Sequence, residues 1–362
     1  MSPETEQQNK APIRAIMHLD LDAFYAAVEV LENPELAGKA LIIGGRPEER
    51  GVVATASYPA RAFGVHSAMS TSRALTLCPQ AIVLPARHRL YRDYSKRVMG
   101  ILHRACPLVE QISIDEAYLD FTAQVTAWEQ VIDWAREIQA QVKAQVGLSA
   151  SLGVASNKLV AKVASDRDKP GGLTVVRPGT EAAFLAPLPV RVIWGVGPVT
   201  AGNLVEMGVT TVGELAKVPE EKLVTRFGQH GADMARRAGG LDARPVVTER
   251  ARKSVSQENT FRRDLSDPKA LRRQLWRLSQ GVAERLRRAE LAAGTVALKL
   301  RYADFTTLTR QTTLAVPTDD ERVIYRTALA LLRRTWQRGR PVRLLGVAGQ
   351  RLCSPVGQLR LF

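Results

Sequence analysis

Two strand-like segments far apart in this chain carry carboxylates inside otherwise apolar runs, and that placement restricts the folds open to it. In HLDLDAFYAAVE, residues 18–29, Asp20 and Asp22 fall at the end of an alternating apolar stretch over 13–21, which gives way to a helical pattern over 23–31. In QISIDEAYLDF, residues 111–121, Asp115 and Glu116 stand between two β-type runs with no glycine or proline to separate them. An acid within an apolar strand is costly unless something cationic meets it. Neighbours on an ideal strand point to opposite faces, so Asp115 and Glu116 can serve one site only at the bend of a hairpin. Asp20, Asp115 and Glu116 together make a three-carboxylate cluster at strand ends, suited to hard divalent ions such as Mg²⁺. Two such ions ~3.5–4 Å apart could activate an attacking oxygen and stabilise a leaving one in phosphoryl transfer. Asp22 has a competing and favoured reading as the N-cap of the helix that follows it. Asp120, after the second run, reads as a turn or salt-bridge residue.

At 362 residues the chain is too long for one ordinary domain, and two to four are expected. Hydrophobic residues make up 45% and charged ones 24%, the balance of a globular protein rather than a disordered or fibrous one. The longest uninterrupted apolar stretch, Ala23 to Val28, is far short of the ~20 residues of a membrane span, so no membrane association is expected. The polar opening MSPETEQQNKAP reads as a flexible tail over residues 1–12 and lacks the features of a secretory signal. Cys78, Cys106 and Cys353 are odd in number and widely spaced, and the five histidines are scattered. Neither a disulfide framework nor a transition-metal site is indicated, and a reducing cytoplasm fits.

The formal charge of +15 is unevenly spread. Residues 251–362 hold 23 Lys plus Arg against 9 Asp plus Glu, a difference of +14, so the remainder is nearly neutral. Such a segment is expected to bind a polyanion, because each cation set against a phosphate releases condensed counterions. The blander alternative is an arginine-rich solvated helix face, as at Arg285, Arg287 and Arg288.

The pattern along the chain predicts a mixed α/β multidomain fold. Short strands fall at 40–45, 51–57 and 81–85, further strands at 111–121 and 148–155, and a helix at 126–146. From Pro187 to Gly240 the pattern is helical with glycine breaks, and it ends in a polar stretch over 241–252 that reads as a linker. Then come a strand, a long helix with Leu271, Leu275, Leu278, Val282 and Leu286 on one stripe, two strands, a helix over 319–337 and a last strand over 342–352. These predict a small two-layer domain with its own core. In VALKLRY, alternation puts Lys299 and Arg301 on one face and Val296, Leu298 and Leu300 on the other, and the basic face is the one the charge excess would offer to a polyanion.

LDLDAFYAAVE, ATASYPARAFGV, SIDEAYLD and SLGVASNKLVAKVASDRDKPGG, in this order, resemble the motifs of the Y-family translesion DNA polymerases, of the bacterial DNA polymerase IV type. The resemblance covers residues 14–362. It implies a right-hand polymerase: palm over 13–24 and 86–175, fingers over 25–85, and thumb with a helix-hairpin-helix over 176–241. A linker follows over 242–253, then a little finger over 254–353 and a clamp-binding tail over 354–362. Implied metal ligands are Asp20, Asp115, Glu116 and the carbonyl of Leu21, holding two Mg²⁺ ions, with Mn²⁺ as a substitute. Tyr58, Arg61 and Lys169 match triphosphate contacts, Thr55 belongs to the fingers segment over the nascent base pair, and Tyr25 aligns with the aromatic steric gate. Spacing alone would make Tyr25 and Tyr58 packing residues. WGVGPVTAGNLVEMG resembles a helix-hairpin-helix, with Gly195 and Gly197 at the turn facing a DNA phosphate.

The ending QLRLF resembles the peptide by which bacterial polymerases dock on the sliding clamp, through Gln358, Leu359, Leu361 and Phe362. Implied partners are primer-template DNA, deoxynucleoside triphosphates and the clamp, the chain itself being a monomer. The implied activity is low-fidelity primer extension past damaged template, and the length leaves no segment for a proofreading exonuclease. The rival classes are a palm-type nucleotidyl cyclase, a two-metal nuclease and a non-catalytic DNA-binding accessory. Against the family pattern, the 12-residue N-terminal extension and Ser256-Gln257, where more glycine is expected, stand out.

Overall fold

The computed structural model describes residues 14–355, which divide into two compact units. In the first unit the chain runs through β1 (Ile16–Leu21), α1 (Phe24–Glu32), β2 (Leu41–Gly44), β3 (Val53–Ala56) and α2 (Tyr58–Arg61). A helix α3 (Thr71–Leu77) then precedes β4 (Ile82–Leu84), α4 (His88–Ala105), β5 (Val109–Gln111), β6 (Glu116–Asp120), α5 (Trp128–Val146), β7 (Ala150–Ala155), α6 (Lys158–Ser165) and β8 (Leu173–Val175). Five short helices close the unit: α7 (Glu181–Leu185), α8 (Pro198–Glu206), α9 (Val212–Ala216), α10 (Glu220–Phe227) and α11 (Gln229–Ala238).

The central sheet has the order β5-β6-β1-β7-β8, antiparallel except for the last pair, and β2, β3 and β4 form a separate small sheet. Period-2 alternation decides what β1 offers to each side. Met17, Leu19 and Leu21 join a core with residues of α1, α4 and α5. Ile16 joins the opposite core, which contains α6 and the following helices. His18 and Asp20 therefore look the same way as Ile16, toward α6. Gly153 of β7 lies under that helix, and a Cβ there would sit 2.0 Å from the carbonyl oxygen of Ala161. Its missing side chain is what lets α6 lie close against the strand.

The polar stretch after α11 has no regular secondary structure, as its composition predicts. Its first part is nevertheless fastened to the sheet unit. Arg14 donates to the carbonyls of Asp242 and Arg244, Asp242 accepts from the amide of Leu159 at the start of α6, and Asn157 donates to the carbonyl of Gly240. Lys158 and Glu110 form a buried ion pair beneath it, and Glu110 also accepts from the amide of Val247.

The second unit holds β9 (Ser254–Leu265), α12 (Pro268–Arg288), β10 (Ala292–Tyr302), β11 (Thr307–Thr318), α13 (Glu321–Thr335) and β12 (Val342–Cys353), together with residues 45–52 and 68–76, which carry most of α3. Arg50 pairs there with Asp264. The sheet order is β11-β10-β12-β9, antiparallel throughout. The five residues of the predicted stripe on α12 are all buried, packed with Val296, Leu298 and Leu300 of β10. Asp267 caps α12 by accepting from the amides of Lys269 and Ala270, and Asp320 caps α13 likewise. Ser256 and Gln257, where glycine was expected, lie in β9. The Gln257 side chain occupies the space a Cβ at Gly281 of α12 would take.

Candidate active site

The hairpin that the acids require is present. β5 and β6 pair in the register Glu110 with Tyr118 and Gln111 with Ala117, leaving 112–115 as the bend. The Ser113 hydroxyl accepts from the amides of Asp115 and Glu116, closing the turn, and is bonded to the Asp115 carboxylate. β1 lies beside β6 with Asp20 directly opposite Glu116, and the Leu21 amide donates to the Asp115 carbonyl at 2.9 Å. The two acidic points thus meet at adjacent strand ends.

Each acid has its own partner. Lys162 of α6 is paired with Glu116, and the buried His18 brings Nε2 to 3.3 Å from the same carboxylate while Nδ1 lies 2.8 Å from the Ser165 hydroxyl. The His18 imidazole and the Lys162 ammonium hold Glu116 down at about 2 against its burial. Burial pushes His18 below its ordinary value, keeping the ring neutral, so the lysine is the charge that faces Glu116. Asp20 is bonded to Lys169 at 2.7 Å, and Lys169 also reaches Asp166 at 2.8 Å. Burial still pushes the Asp20 carboxyl up to about 6, and Asp115 adds to the rise.

Among the described residues no three acidic, histidine or cysteine side chains close into a ready metal cage. The donor set nevertheless fits a hard divalent cation, since it consists of oxygens. Burial is the main cause of the rise at Asp20, and Asp115 adds a second carboxylate beside it. Lys162 was not singled out by sequence reasoning. It lies within the quoted SNKLVAKVASD motif, but only the fold reveals that it faces Glu116.

Asp22 is not a helix cap. Ala23 occupies the N-cap of α1 in a left-handed conformation, without a side-chain cap bond. Asp22 is buried, and its carboxylate accepts from the hydroxyls of Ser149 at 2.7 Å, Ser151 at 2.8 Å and Tyr58 at 3.2 Å and from the amide of Gly171 at 2.8 Å. Asp120 is the turn residue expected, accepting from the amide of Thr122.

Tyr58 and Arg61 do share one face of α2, with the Arg61 guanidinium 5.1 Å from the Tyr58 ring centre. Arg61 Nε donates to the carbonyl of Ala56. Thr55 sits in β3 opposite Ile43 of β2. Tyr25 stacks on Tyr91 with ring centres 4.0 Å apart and planes 17° apart. Tyr91 is fully buried and donates its hydroxyl to Glu29, which Arg87 grips through two nitrogens. The sequence did not point to Tyr91, Glu29 or Arg87; Tyr91 lies in α4, which opens with the strongly polar HRLYRDYSKR.

Gly195 has φ +95°, which side-chain-bearing residues rarely adopt, and Gly197 stands at the N-cap of α8 with Pro198 in its first turn. Trp194 beside them is 58% exposed, and the guanidiniums of Arg237 and Arg244 lie 5.2 and 5.0 Å from its ring centre. In the second unit Lys299 and Arg301 lie on the sheet face away from the helices, as alternation predicts. Lys299 is paired with Glu258 at 2.8 Å, and Arg301 donates to Thr307. Arg285, Arg287 and Arg288 bond to Ser256, Glu321 and Glu284 on the helical side. Gln358, Leu359, Leu361 and Phe362 lie outside the described residues. No helix among the described residues is long and apolar enough to cross a membrane.

The impB/mucB/samB family model matches residues 19–166, the model of that family's C-terminal domain matches 252–361, and an IMS family HHH motif matches 178–209. A solved structure described as the Y-family DNA polymerase chimera Dbh-Dpo4(243-245)-Dbh superposes with a TM-score of 0.85 at 28% identity, covering 94% of this chain and 99% of that one. A DNA polymerase IV from Desulfatibacillum aliphaticivorans is 44% identical over 340 residues, 94% of this chain and 86% of that protein. The chain belongs to the Y-family DNA polymerases, of the DNA polymerase IV type. A DNA polymerase IV from Listeria innocua is 43% identical over 334 residues, 92% of this chain and 94% of its own length. This Y-family polymerase is accordingly a DNA-directed DNA polymerase of the translesion class, a nucleotidyltransferase acting on DNA and deoxynucleoside triphosphates. Family membership carries dependence on a divalent cation, and it does not favour the cyclase, nuclease or accessory readings.

Proposed function

We propose that Asp20, Asp115, Glu116 and the carbonyl of Leu21 hold two Mg²⁺ ions, which Mn²⁺ can replace, for template-directed addition of deoxynucleotides to a primer 3′ end. The observation that carries this reading is the register of Asp20 against Glu116 beside the Asp115 bend. When bound, such ions supply positive charge that makes a 3′ hydroxyl more acidic and steadies a departing pyrophosphate.

The chain's own groups do the rest. Lys162 and His18 keep Glu116 ionised and aimed. Lys169 gives up Asp20 and, with Arg61 and Tyr58, takes the triphosphate, one as a point charge and one as a planar fork. Tyr25, backed by Tyr91, forms the floor that a ribose 2′ hydroxyl would strike. Thr55 and its small neighbours Val53 and Ala54 make a loose roof, which supports low fidelity and passage of damaged template.

In this reading residues 13–24 and 86–175 are the palm, 25–85 the fingers, 176–241 the thumb, 242–253 the linker and 254–353 the little finger. Gly195 and Gly197 place backbone amides, and Lys299 and Arg301 side chains, against the DNA backbone without reading sequence. Single-nucleotide primer extension with and without Mg²⁺ tests the proposal. Incorporation complementary to the template and only with the ion supports it, and ion-independent or untemplated product refutes it. The tail over 354–362 we assign to a bacterial sliding clamp. Removing residues 358–362 is expected to abolish clamp-stimulated synthesis while sparing unassisted extension, and equal loss of both would contradict that assignment.

A further inference from the structure

Asp22 is the most heavily bonded acid at the site, and nothing in the proposed chemistry uses it. A carboxylate offers about four lone-pair positions. Here Oδ1 accepts from Tyr58 and Ser151, and Oδ2 from Ser149 and Gly171, so all four are taken. No lone pair is left for a cation, which separates Asp22 from Asp20 two residues before it.

The four donors come from three different parts of the chain. Ser149 and Ser151 belong to the start of β7, and Gly171 belongs to the turn that carries Lys169. Tyr58 opens α2. That turn is tight, since a Cβ at Gly172 would fall 1.8 Å from the Asp168 carbonyl, so fixing the Gly171 amide also fixes the backbone beside Lys169. The bonds to β7 and to the turn are 2.7–2.8 Å, whereas that to the Tyr58 hydroxyl is 3.2 Å. The tyrosine is thus the arm that can leave while three donors continue to satisfy the acid. Burial and the Asp22 charge push the Tyr58 phenol up to about 12, so it remains a proton donor.

We propose that Asp22 is a positioning residue for the incoming triphosphate, holding Tyr58 and the Lys169 turn at one spacing and releasing the Tyr58 hydroxyl to a phosphate oxygen when the nucleotide arrives. The proposal rests on the reading of Tyr58 and Lys169 as triphosphate contacts. Groups prealigned in this way lower the cost of binding rather than the barrier to chemistry, so nucleotide affinity is what Asp22 controls.

The test is single-nucleotide incorporation by the full chain on a primer-template with Mg²⁺, over a range of dNTP concentration. The variants are Asp22→Ala, Asp22→Asn, Tyr58→Phe, Lys169→Ala and Asp22→Ala with Tyr58→Phe, each checked for an unchanged unfolding transition. Asp22→Ala is expected to raise the KM for dNTP about tenfold with kcat within about threefold of wild type, and Asp22→Asn, which keeps one acceptor oxygen, to raise it less. Tyr58→Phe should raise KM on its own, and the double variant should raise it by less than the product of the two single effects, because part of what Asp22 does is place the Tyr58 hydroxyl. A fall in kcat at constant KM, full additivity of the pair, or an unchanged KM would overturn the proposal. If Asp22→Ala does not fold, Asp22→Asn and the double variant Ser149→Ala, Ser151→Ala carry the same expectation. Should Tyr58→Phe and Lys169→Ala leave KM unchanged, the triphosphate assignment itself fails. Should they raise it while the Asp22 variants do not, only the positioning role fails.

Discussion

The two units of this polymerase treat charge in opposite ways. In the unit built on the β5-β6-β1-β7-β8 sheet, His18, Asp22, Glu29, Glu110 and Lys158 are all buried, and each is tied to named partners. The C-terminal segment carries nearly the whole net charge, yet its buried polar residues among those described are Ser279 and Thr295, neither of them ionisable. A buried charge fixes geometry because leaving it unpaired is so costly. Exposed arginines and lysines are exchangeable, which suits the proposed contact with a phosphate backbone of any sequence. Under the proposed function, chemistry is placed where charge is buried, and grip where it is exposed.

This contrast is sharpest at the acids. Asp115→Asn is expected to lower single-nucleotide incorporation at least about a thousandfold while leaving primer-template affinity nearly intact, as read by extension kinetics and a binding titration. Substantial remaining extension would break the division between the units at its strongest point. Next in size, Lys158→Met removes the buried cation beside Glu110 and should cost about 3–5 kcal/mol in denaturant unfolding of the sheet unit, with much of it recovered when Glu110→Leu is added. A smaller effect is expected at the sugar. Tyr25→Ala should reduce discrimination against ribonucleotides by about 10–200-fold, measured as the ratio of kcat/KM for dNTP and rNTP, and an unchanged ratio would remove Tyr25 from the gate. Smallest of all, Lys299→Ala or Arg301→Ala should weaken DNA binding only a few-fold, with a shallower salt dependence, by roughly one counterion per lost phosphate contact. A loss from either comparable to that at Asp115 would show that the C-terminal unit also depends on fixed charge.

Much of this was readable before any coordinates. The β-hairpin follows from Asp115 and Glu116 needing one site, and the α12 stripe from its Leu and Val spacing, because both depend on periodicity within one segment. What escaped reading depends on distant partners. Asp22 looks like a helix cap from its neighbours, and its true donors at 149, 151 and 171 are distant in sequence, brought alongside by the pairing of β7 with β1. Lys158 and Lys162 stand one helical turn apart in α6 and look interchangeable. One fastens the residues after α11 and the other aims Glu116, a difference written only in which strand each faces. α4 escaped because its polar start hides the buried Tyr91, and Gln358, Leu359, Leu361 and Phe362 lie outside the described residues.

The bare glycine under α6 has a consequence of scale. The helix that carries Lys162 rests where a methyl group at position 153 would be, so the clearance between the Glu116 carboxylate and the Lys162 ammonium is set by one hydrogen atom. The spacing beside Glu116 is thus governed by a residue with no chemistry of its own.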